Sequence, residues 1–352
     1  MGITDKILSI IIPTYNMERY LKYCLDSLLI KDNFEALEVL IINDGSKDNS
    51  SAIAHEYADK YPNVFRVIDK ENGNYGSCVN RGLKEAVGKY VKVLDADDSF
   101  DTANFCEFVD FLDSVDADLI LSDYVEVDEQ GSVTGKHDYD FPEDVELKFK
   151  DICSTGTFKN MQMHAVTYRR QMLVDMGYVQ SEGVSYTDQQ WIFIPMVRVR
   201  SVRRFGKCVY RYLLGRVGQT MDPVIKRKHM NHIMVCVHGM LVAYNRFLGE
   251  IDETIREYLM ARLLPFSKEV YVTLLTNYND ETKAALIGFD KDIKSLNNEF
   301  YELIGSKDVS SFLGFKYIDY WRRKYNKMNN AVVRMFSTMY MLLVQLKKKL
   351  GR

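Results

Sequence analysis

Residues Tyr90 to Asp101 read YVKVLDADDSFD, a β-branched apolar run in which Val91 and Val93 lead to Leu94 and then straight into acids. Asp95, Asp97 and Asp98 crowd one turn. Three carboxylates this close repel one another, and a bound divalent cation is the commonest compensation for such crowding. A solvated acidic turn explains the same residues when they are read alone, since short acidic motifs recur without function.

Working outward, Leu8 to Pro13 is a continuous apolar run of the kind expected for a strand buried on both faces of a parallel sheet. It ends in the polar loop Thr14-Tyr15-Asn16. Helical spacing of Tyr20, Leu21, Cys24, Leu25, Leu28 and Leu29 follows, with Asn16 available as a cap. A second strand, Val39 to Ile42, stops at Asn43-Asp44-Gly45-Ser46, and the helix after it ends near Tyr61. Val64 to Ile68 supplies a third strand. The Gly-rich loop Asn72 to Gly76 and a helix over Ser77 to Ala86 lead to the fourth, Tyr90 to Leu94. This alternation predicts an α/β fold with a parallel sheet, in which ligands bind at the carboxyl ends of the strands. Thr14, Tyr15, Asp44 and Asp95 to Asp98 should therefore gather on one edge. Leu119 to Tyr124 is expected to continue the sheet as its fifth strand. The pieces Val125 to Val127 and Ser132 to Thr134 then read as a hairpin.

Composition narrows the classes. The chain has 352 residues, 47% hydrophobic and 27% charged, ordinary for a globular protein and long enough for two domains. A net charge of -3 gives no basic excess for nucleic acid. The 6 cysteines form no Cys-x-x-Cys pair, which suits reduced thiols in a cytoplasmic protein. With no charged start followed by an apolar h-region, no secretory signal is expected, and no run of about 18 apolar residues predicts a membrane span. Beyond Gly218 the pattern is helical, over Ile225 to Leu248, Glu253 to Leu275 and Asp319 to Leu350. The expected domains are 1–218 and 219–352.

SIIIPTYN, VLIINDGSKDNS, ENGNYGSCVNRGL, GKYVKVLDADD and YTDQQW occur in that order between Leu8 and Trp191. The arrangement resembles family 2 glycosyltransferases with the GT-A fold, and the likeness extends to about Thr220. The resemblance implies a Rossmann-like, mainly parallel central sheet flanked by helices, a helical C-terminal region, and non-processive, inverting transfer from a nucleoside-diphosphate sugar. It also implies a Mn2+ or Mg2+ ion on the Asp95-Ala96-Asp97 element, with Asp97 the direct ligand, Asp95 in support and Asp98 a third candidate. A hard ion of this kind is commonly held by one or two carboxylates plus phosphate oxygens. Pro13, Thr14 and Tyr15 are implied to border the nucleotide. Asp44 would accept from the imide N–H of a uracil-like base, which makes a UDP-sugar the expected donor; a local turn or cap is the other reading of Asp44. Asn80 falls in the segment resembling Arg-Asn-x-Gly, although Val79 stands where many members have arginine.

For the acceptor hydroxyl, the family uses a carboxylate at a helix start. Asp188 matches it, while Thr187 departs from the usual glutamate. An N-terminal helix residue favoured by the dipole is the alternative for Asp188. Arg216, Gly218, Gln219 and Thr220 resemble a stretch that approaches the diphosphate. His164 reads more simply as a satisfied structural histidine than as an acceptor contact, and His229 with His232 as helix residues without metal. No Gln-x-x-Arg-Trp element follows Asp188, which favours single transfers. The acceptor is expected to be a glycan or lipid-linked hydroxyl. Ala331 to Lys349, apolar and flanked by basic clusters, is either an interfacial helix at the inner face of the membrane or a helix packed on its own domain. A nucleotidyltransferase and an inactive nucleotide-sugar-binding scaffold are the competing functions.

Overall fold

The computed structural model describes residues 6–143, 145–155, 161–216, 223–306, 311–312, 314–324, 338 and 342. The chain divides into two compact units, Met1–Gln219 with Ile251–Ile255, and Thr220–Glu250 with Arg256–Arg352.

The first unit is built on strands β1 (Leu8–Thr14), β2 (Leu37–Asn43), β3 (Phe65–Asp69) and β4 (Tyr90–Val93), which run parallel in the order β3-β2-β1-β4. Every residue of β2 is buried, and so is every residue of β1 except the half-buried Pro13. Their central runs, Ile10 to Ile12 and Val39 to Ile42, are apolar in every position, as suits strands covered on both faces. The crossovers are α1 (Glu18–Asp26), α2 (Ser50–Lys60) and α3 (Asn74–Glu85). Helix α3 lies so close to β1 that a Cβ on Gly82 would meet the Ile11 side chain at 2.5 Å.

Asn16 does not cap α1. It takes a left-handed conformation (φ 54°), and its Oδ1 accepts from the Lys47 amide at 2.8 Å. The free amides at the start of α1 find partners on the next loop instead: Met17 N donates to Ser50 Oγ (2.7 Å) and Glu18 N to Asp48 Oδ2 (3.0 Å). A helix start needs acceptors, and these come from another segment. The exchange fastens the loop after β1 to the loop after β2.

The remaining elements of this unit are β5 (Ser99–Phe100), α4 (Thr102–Ser114), β6 (Leu119–Val127), β7 (Val133–His137), β8 (Leu147–Lys148), α5 (Phe149–Cys153), β9 (Val166–Arg169), α6 (Arg170–Asp175), α7 (Asp188–Trp191) and β10 (Ser201–Leu213). Strands β6 and β7 form the expected hairpin. The sheet as a whole is mixed, however, because β9 sits between β4 and β6, antiparallel to both. Four residues are too few for periodicity to declare a neighbour or a direction, so tertiary hydrogen bonds choose them. Past Val91 the ladder between β4 and β9 stops. There the buried Lys92 Nζ donates to the carbonyls of His164 (2.8 Å) and Val166 (3.2 Å). Burial lowers this ammonium to about 7, so the two carbonyls hold a weakly basic amine inside the sheet.

The second unit is helical: α8 (Pro223–Lys228), α9 (Met230–Phe247), most of α10 (Glu253–Thr276), α11 (Asp280–Leu296), α12 (Asn298–Gly305) and α13 (Tyr317–Lys324). A reciprocal cap opens α11, where Thr282 N donates to Asn279 Oδ1 (3.0 Å) and Asn279 N to Thr282 Oγ1 (2.8 Å). Arg322 of α13 is pinned between Asp290 Oδ1 (2.7 Å) and the Tyr301 carbonyl (2.8 Å), with its guanidinium 3.5 Å from the Tyr301 ring centroid. The rings of His229 and His232 stack at 4.7 Å. Apart from Thr338 and Leu342, the stretch Ala331 to Lys349 lies outside the described residues. Among the described residues no helix is long and apolar enough to cross a membrane.

Gly82→Ala should cost about 1–3 kcal/mol, the usual penalty for overpacking a closed helix–strand contact. The check is a lower urea midpoint at unchanged slope; a wild-type midpoint would mean that α3 can move away from Ile11 freely.

Candidate active site

The carboxyl edge of the parallel strands assembles the site. Thr14, at the end of β1, is buried; its Oγ1 donates to the Ile12 carbonyl (3.1 Å), and its own carbonyl accepts from Asp44 N (2.9 Å). Tyr15 beside it is 45% exposed, which leaves its ring open to a ligand. Asp44 is buried but not as a local turn or cap. Its Oδ1 reaches across to Lys70 Nζ and accepts from Gly73 N at 2.9 Å, so the carboxylate is tied to the loop after β3. Lys70 Nζ also donates to Ser77 Oγ (2.9 Å).

At the end of β4 the chain turns sharply, with Asp98 N donating to the Asp95 carbonyl at 2.9 Å. Each acid in this turn has a different partner. Tyr75 donates its hydroxyl to Asp95 Oδ1 (2.6 Å). Arg216 Nε pairs with Asp97 and lays its guanidinium 5.8 Å from the Tyr20 ring centroid. Asp98 accepts from Tyr210 Oη (2.6 Å) and from Leu213 N (2.7 Å), while Tyr210 Oη in turn accepts from Asp95 N (3.1 Å). Ala96, buried between the acids, takes no space from them. Burial, then the charge of Asp97, raises the Asp95 carboxyl to about 7. Burial followed by the charges of Asp97 and Asp95 pushes Asp98 well above the carboxylate range, against the opposing bonds from Tyr210 and Leu213. Concentrated negative charge in a partly desolvated turn is what a divalent cation relieves, and hard carboxylate oxygens are its ordinary ligands.

Asp188 opens α7, and Gln189 Nε2 donates to its Oδ2 at 2.8 Å. Its charge is felt by Asp95, Tyr75 and Tyr212, which places it beside the acidic turn. Thr187, the departure from the family pattern, is fully buried and gives α7 no side-chain cap. Asn80 does not point into this group. Its amide bridges α3 to the segment before Asp188, donating to the Gln180 carbonyl (3.0 Å) and Glu182 Oε1 (2.8 Å) and accepting from Gln180 N (2.8 Å). Gly76 permits that approach, since a Cβ there would lie 2.0 Å from the Ser181 carbonyl oxygen. Gly218, Gln219 and Thr220 lie outside the described residues.

Sequence reasoning missed Lys70, Tyr75, Tyr210 and Tyr212. Tyr75 stood inside a quoted motif, and Tyr210 and Tyr212 share one face of a strand by their two-residue spacing. His164 is buried as expected but not satisfied. Its Nδ1 has no hydrogen-bond partner among the described residues, and the imidazole offers a nitrogen to a group in which one ligand atom each of Asp95, Asp98 and His164 lie within 4.8 Å of one another. Burial and then the charge of Lys92 lower His164 to about 3, so the ring is neutral near pH 7.

An acidic turn, a helix-borne aspartate and an open aromatic side chain at the carboxyl edge of parallel strands are the layout of an α/β enzyme. A family model described as glycosyl transferase family 2 matches residues 9–176. Over 247 residues the chain is 32% identical to the uncharacterized glycosyltransferase YibD of Escherichia coli, covering 66% of this chain and 68% of that protein. It is 45% identical over 97 residues to the uncharacterized glycosyltransferase MG025 of Mycoplasma genitalium, covering 27% of this chain and 32% of the relative. Likewise it is 40% identical over 106 residues to the minor teichoic acid biosynthesis protein GgaB of Bacillus subtilis, covering 30% of this chain and 12% of the relative. These two matches thus span a third or less of the relatives' own lengths. Among solved structures, S. aureus TarS 1–349 in complex with UDP superimposes with a TM-score of 0.62 at 18% identity, covering 98% of this chain and 92% of that one. The fold is of the GT-A type. The chain belongs to glycosyl transferase family 2.

The raised Asp95 carboxyl sets a pH dependence. Its folded-state value lies above the unfolded one of 3.8, so the folded protein holds the extra proton and the associated stability is lost as pH rises toward about 7. Metal-free protein in chelator should lose stability between about pH 4 and 7, by at most about 1.4 kcal/mol per pH unit from this group. Urea midpoints across that range should fall less steeply for Asp95→Asn; identical slopes would assign the effect elsewhere.

Proposed function

We propose that the protein is an inverting, metal-dependent glycosyltransferase that moves one sugar at a time from a UDP-sugar to a hydroxyl of a glycan or lipid-linked acceptor. The observation that carries this reading is the acidic turn of Asp95, Asp97 and Asp98 outside the strand ends, near enough to Asp188 for its charge to act on Asp95. Residues 1–218 form the donor and catalytic domain, and 219–352 serve acceptor or membrane-surface contact at the cytoplasmic face. The UDP and UDP-GlcNAc named with TarS, whose fold is similar, support a uridine donor.

Pro13, Thr14 and the exposed Tyr15 border the nucleotide, and Asp44 accepts the imide N–H of the base. Lys70 and Gly73 N hold that carboxylate in place beforehand. Asp97 and Asp95, with Asp98 behind them, would hold Mn2+ or Mg2+. When bound, such an ion supplies Lewis-acid stabilisation to the departing diphosphate. Arg216, already beside Asp97, would pair with the same phosphates. Asp188 takes the proton of the acceptor hydroxyl as that oxygen bonds to the anomeric carbon. The bond from that carbon to the diphosphate oxygen breaks on the opposite side, which inverts the centre. Asn80 and Gly76 act at one remove, by fixing the segment that leads to Asp188.

Removing a placed base costs about 10²- to 10⁴-fold. Asp188→Asn should therefore lower turnover in a nucleotide-sugar screen by that factor while calorimetry still shows UDP binding strengthened by Mn2+. Undiminished turnover would remove Asp188 from its role. Failure of wild-type protein to bind UDP with or without Mn2+ would remove the donor site, and pyrophosphate release in place of nucleoside diphosphate would favour nucleotidyl transfer.

A further inference from the structure

His164 is a group of the acidic edge that the proposed reaction leaves idle. Its ring is held rigidly. One face stacks on Tyr212 at 4.1 Å with 27° between planes, Tyr210 lies at 4.7 Å and Tyr124 at 5.2 Å, and Lys92 Nζ fixes its backbone carbonyl at 2.8 Å. The residue is 7% exposed. A polar ring atom buried to that degree without a partner costs free energy, and such atoms are normally satisfied by protein, water or an ion. Hydrogen bonds or stacking through the ring faces do not account for it, because Nδ1 lies in the ring plane and is the orphaned atom.

The same imidazole also turns a ring nitrogen to the acids. A carboxylate oxygen of Asp95, one of Asp98 and a ring nitrogen of His164 are mutually within 4.8 Å, so side-chain shifts of a few tenths of an ångström bring all three inside the roughly 4.4 Å that a single cation with bonds of about 2.2 Å spans. Asp98 is fixed by Tyr210 Oη and Leu213 N, and Asp95 by Tyr75, which leaves lone pairs on oxygens already oriented. Tyr210 ties the set together: it donates to Asp98, accepts from Asp95 N and packs against the imidazole. Asp97, placed on the same ion above, gives one carboxylate oxygen, Oδ2, to Arg216.

We propose that His164 is a nitrogen ligand of the divalent cation, sharing it with Asp95 and Asp98. The inference rests on the metal-dependent reading above and sharpens it. An all-carboxylate site suits Mg2+, whereas an imidazole in the set shifts preference toward transition ions such as Mn2+ and Co2+.

The test uses the full chain with Mn2+ and UDP, and pulsed electron paramagnetic resonance to look for nitrogen modulation from a coordinated imidazole. His164→Phe keeps a ring against Tyr212 and removes the nitrogens; His164→Gln keeps polarity should the first variant fail to fold, as judged by circular dichroism. Wild-type protein should show the modulation and a folded variant should lose it. Mn2+ affinity should fall about 10- to 100-fold in the variant, and Mg2+ affinity by a smaller factor. Mn2+ binding by wild-type protein without nitrogen modulation, or modulation that persists in the folded variant, would overturn the assignment while leaving the metal-dependent reading intact. No Mn2+ binding even with UDP would overturn both.

Discussion

The constraint on which the site depends is the turn that follows β4. On one side β1 pairs with all four residues of β4, on the other the short β9 pairs only with Tyr90 and Val91, and past Leu94 the chain bends back on itself through Asp98 N and the Asp95 carbonyl. That bend puts three carboxylates where the sheet's helices exclude much of the solvent. Each acid then needs a donor from a different part of the chain: α3 gives Tyr75, β10 gives Tyr210 and Leu213 N, and the segment after β10 gives Arg216. The register of β10 against β6 is therefore a condition of the site as well as of the core. Strand β10 breaks that register between Phe205 and Tyr210, close to where its tyrosine must reach the turn.

The parallel half was legible because its signals are local. Ile10 to Ile12 and Leu40 to Ile42 are apolar in every position, and each run ends at a polar loop whose residues reappear at the observed edge. Asp44, Asp95 and Asp188 stood out for the same reason, since carboxylates at strand ends and helix starts are visible in one dimension. The antiparallel half was not legible. Nothing in Val166 to Arg169 states that it will lie between strands 90–93 and 119–127, and Lys92 looks like an exposed residue until its two carbonyl partners are in place. Tyr75, Tyr210 and Lys70 stayed hidden because a phenol or an ammonium carries no sign of which acid it will meet 20 to 112 residues away. His164 looked like a satisfied core histidine, as most buried histidines are; only the orphaned Nδ1 separates it from that class.

The partners also sort the acids by charge. Asp44 and Asp97 are each paired with a cation, Lys70 and Arg216. Asp95 and Asp98 are paired with phenols, which donate a hydrogen bond but bring no positive charge. In a low-dielectric turn that difference matters more than the number of bonds, because a neutral donor steadies a carboxylate without cancelling its repulsion of the next one. Burial first, and then the neighbouring charge of Asp97, raise the proton affinity of Asp95 and Asp98, and among the described residues no cation is hydrogen-bonded to either to offset it. A proton and a metal ion compete for the same lone pairs, so the two acids that hold protons most tightly are also the two with most to gain from a cation. Had Tyr75 and Tyr210 been lysines, the turn would be neutral and would have little call on an external ion. The choice of phenols over amines keeps the turn folded and still leaves its charge available.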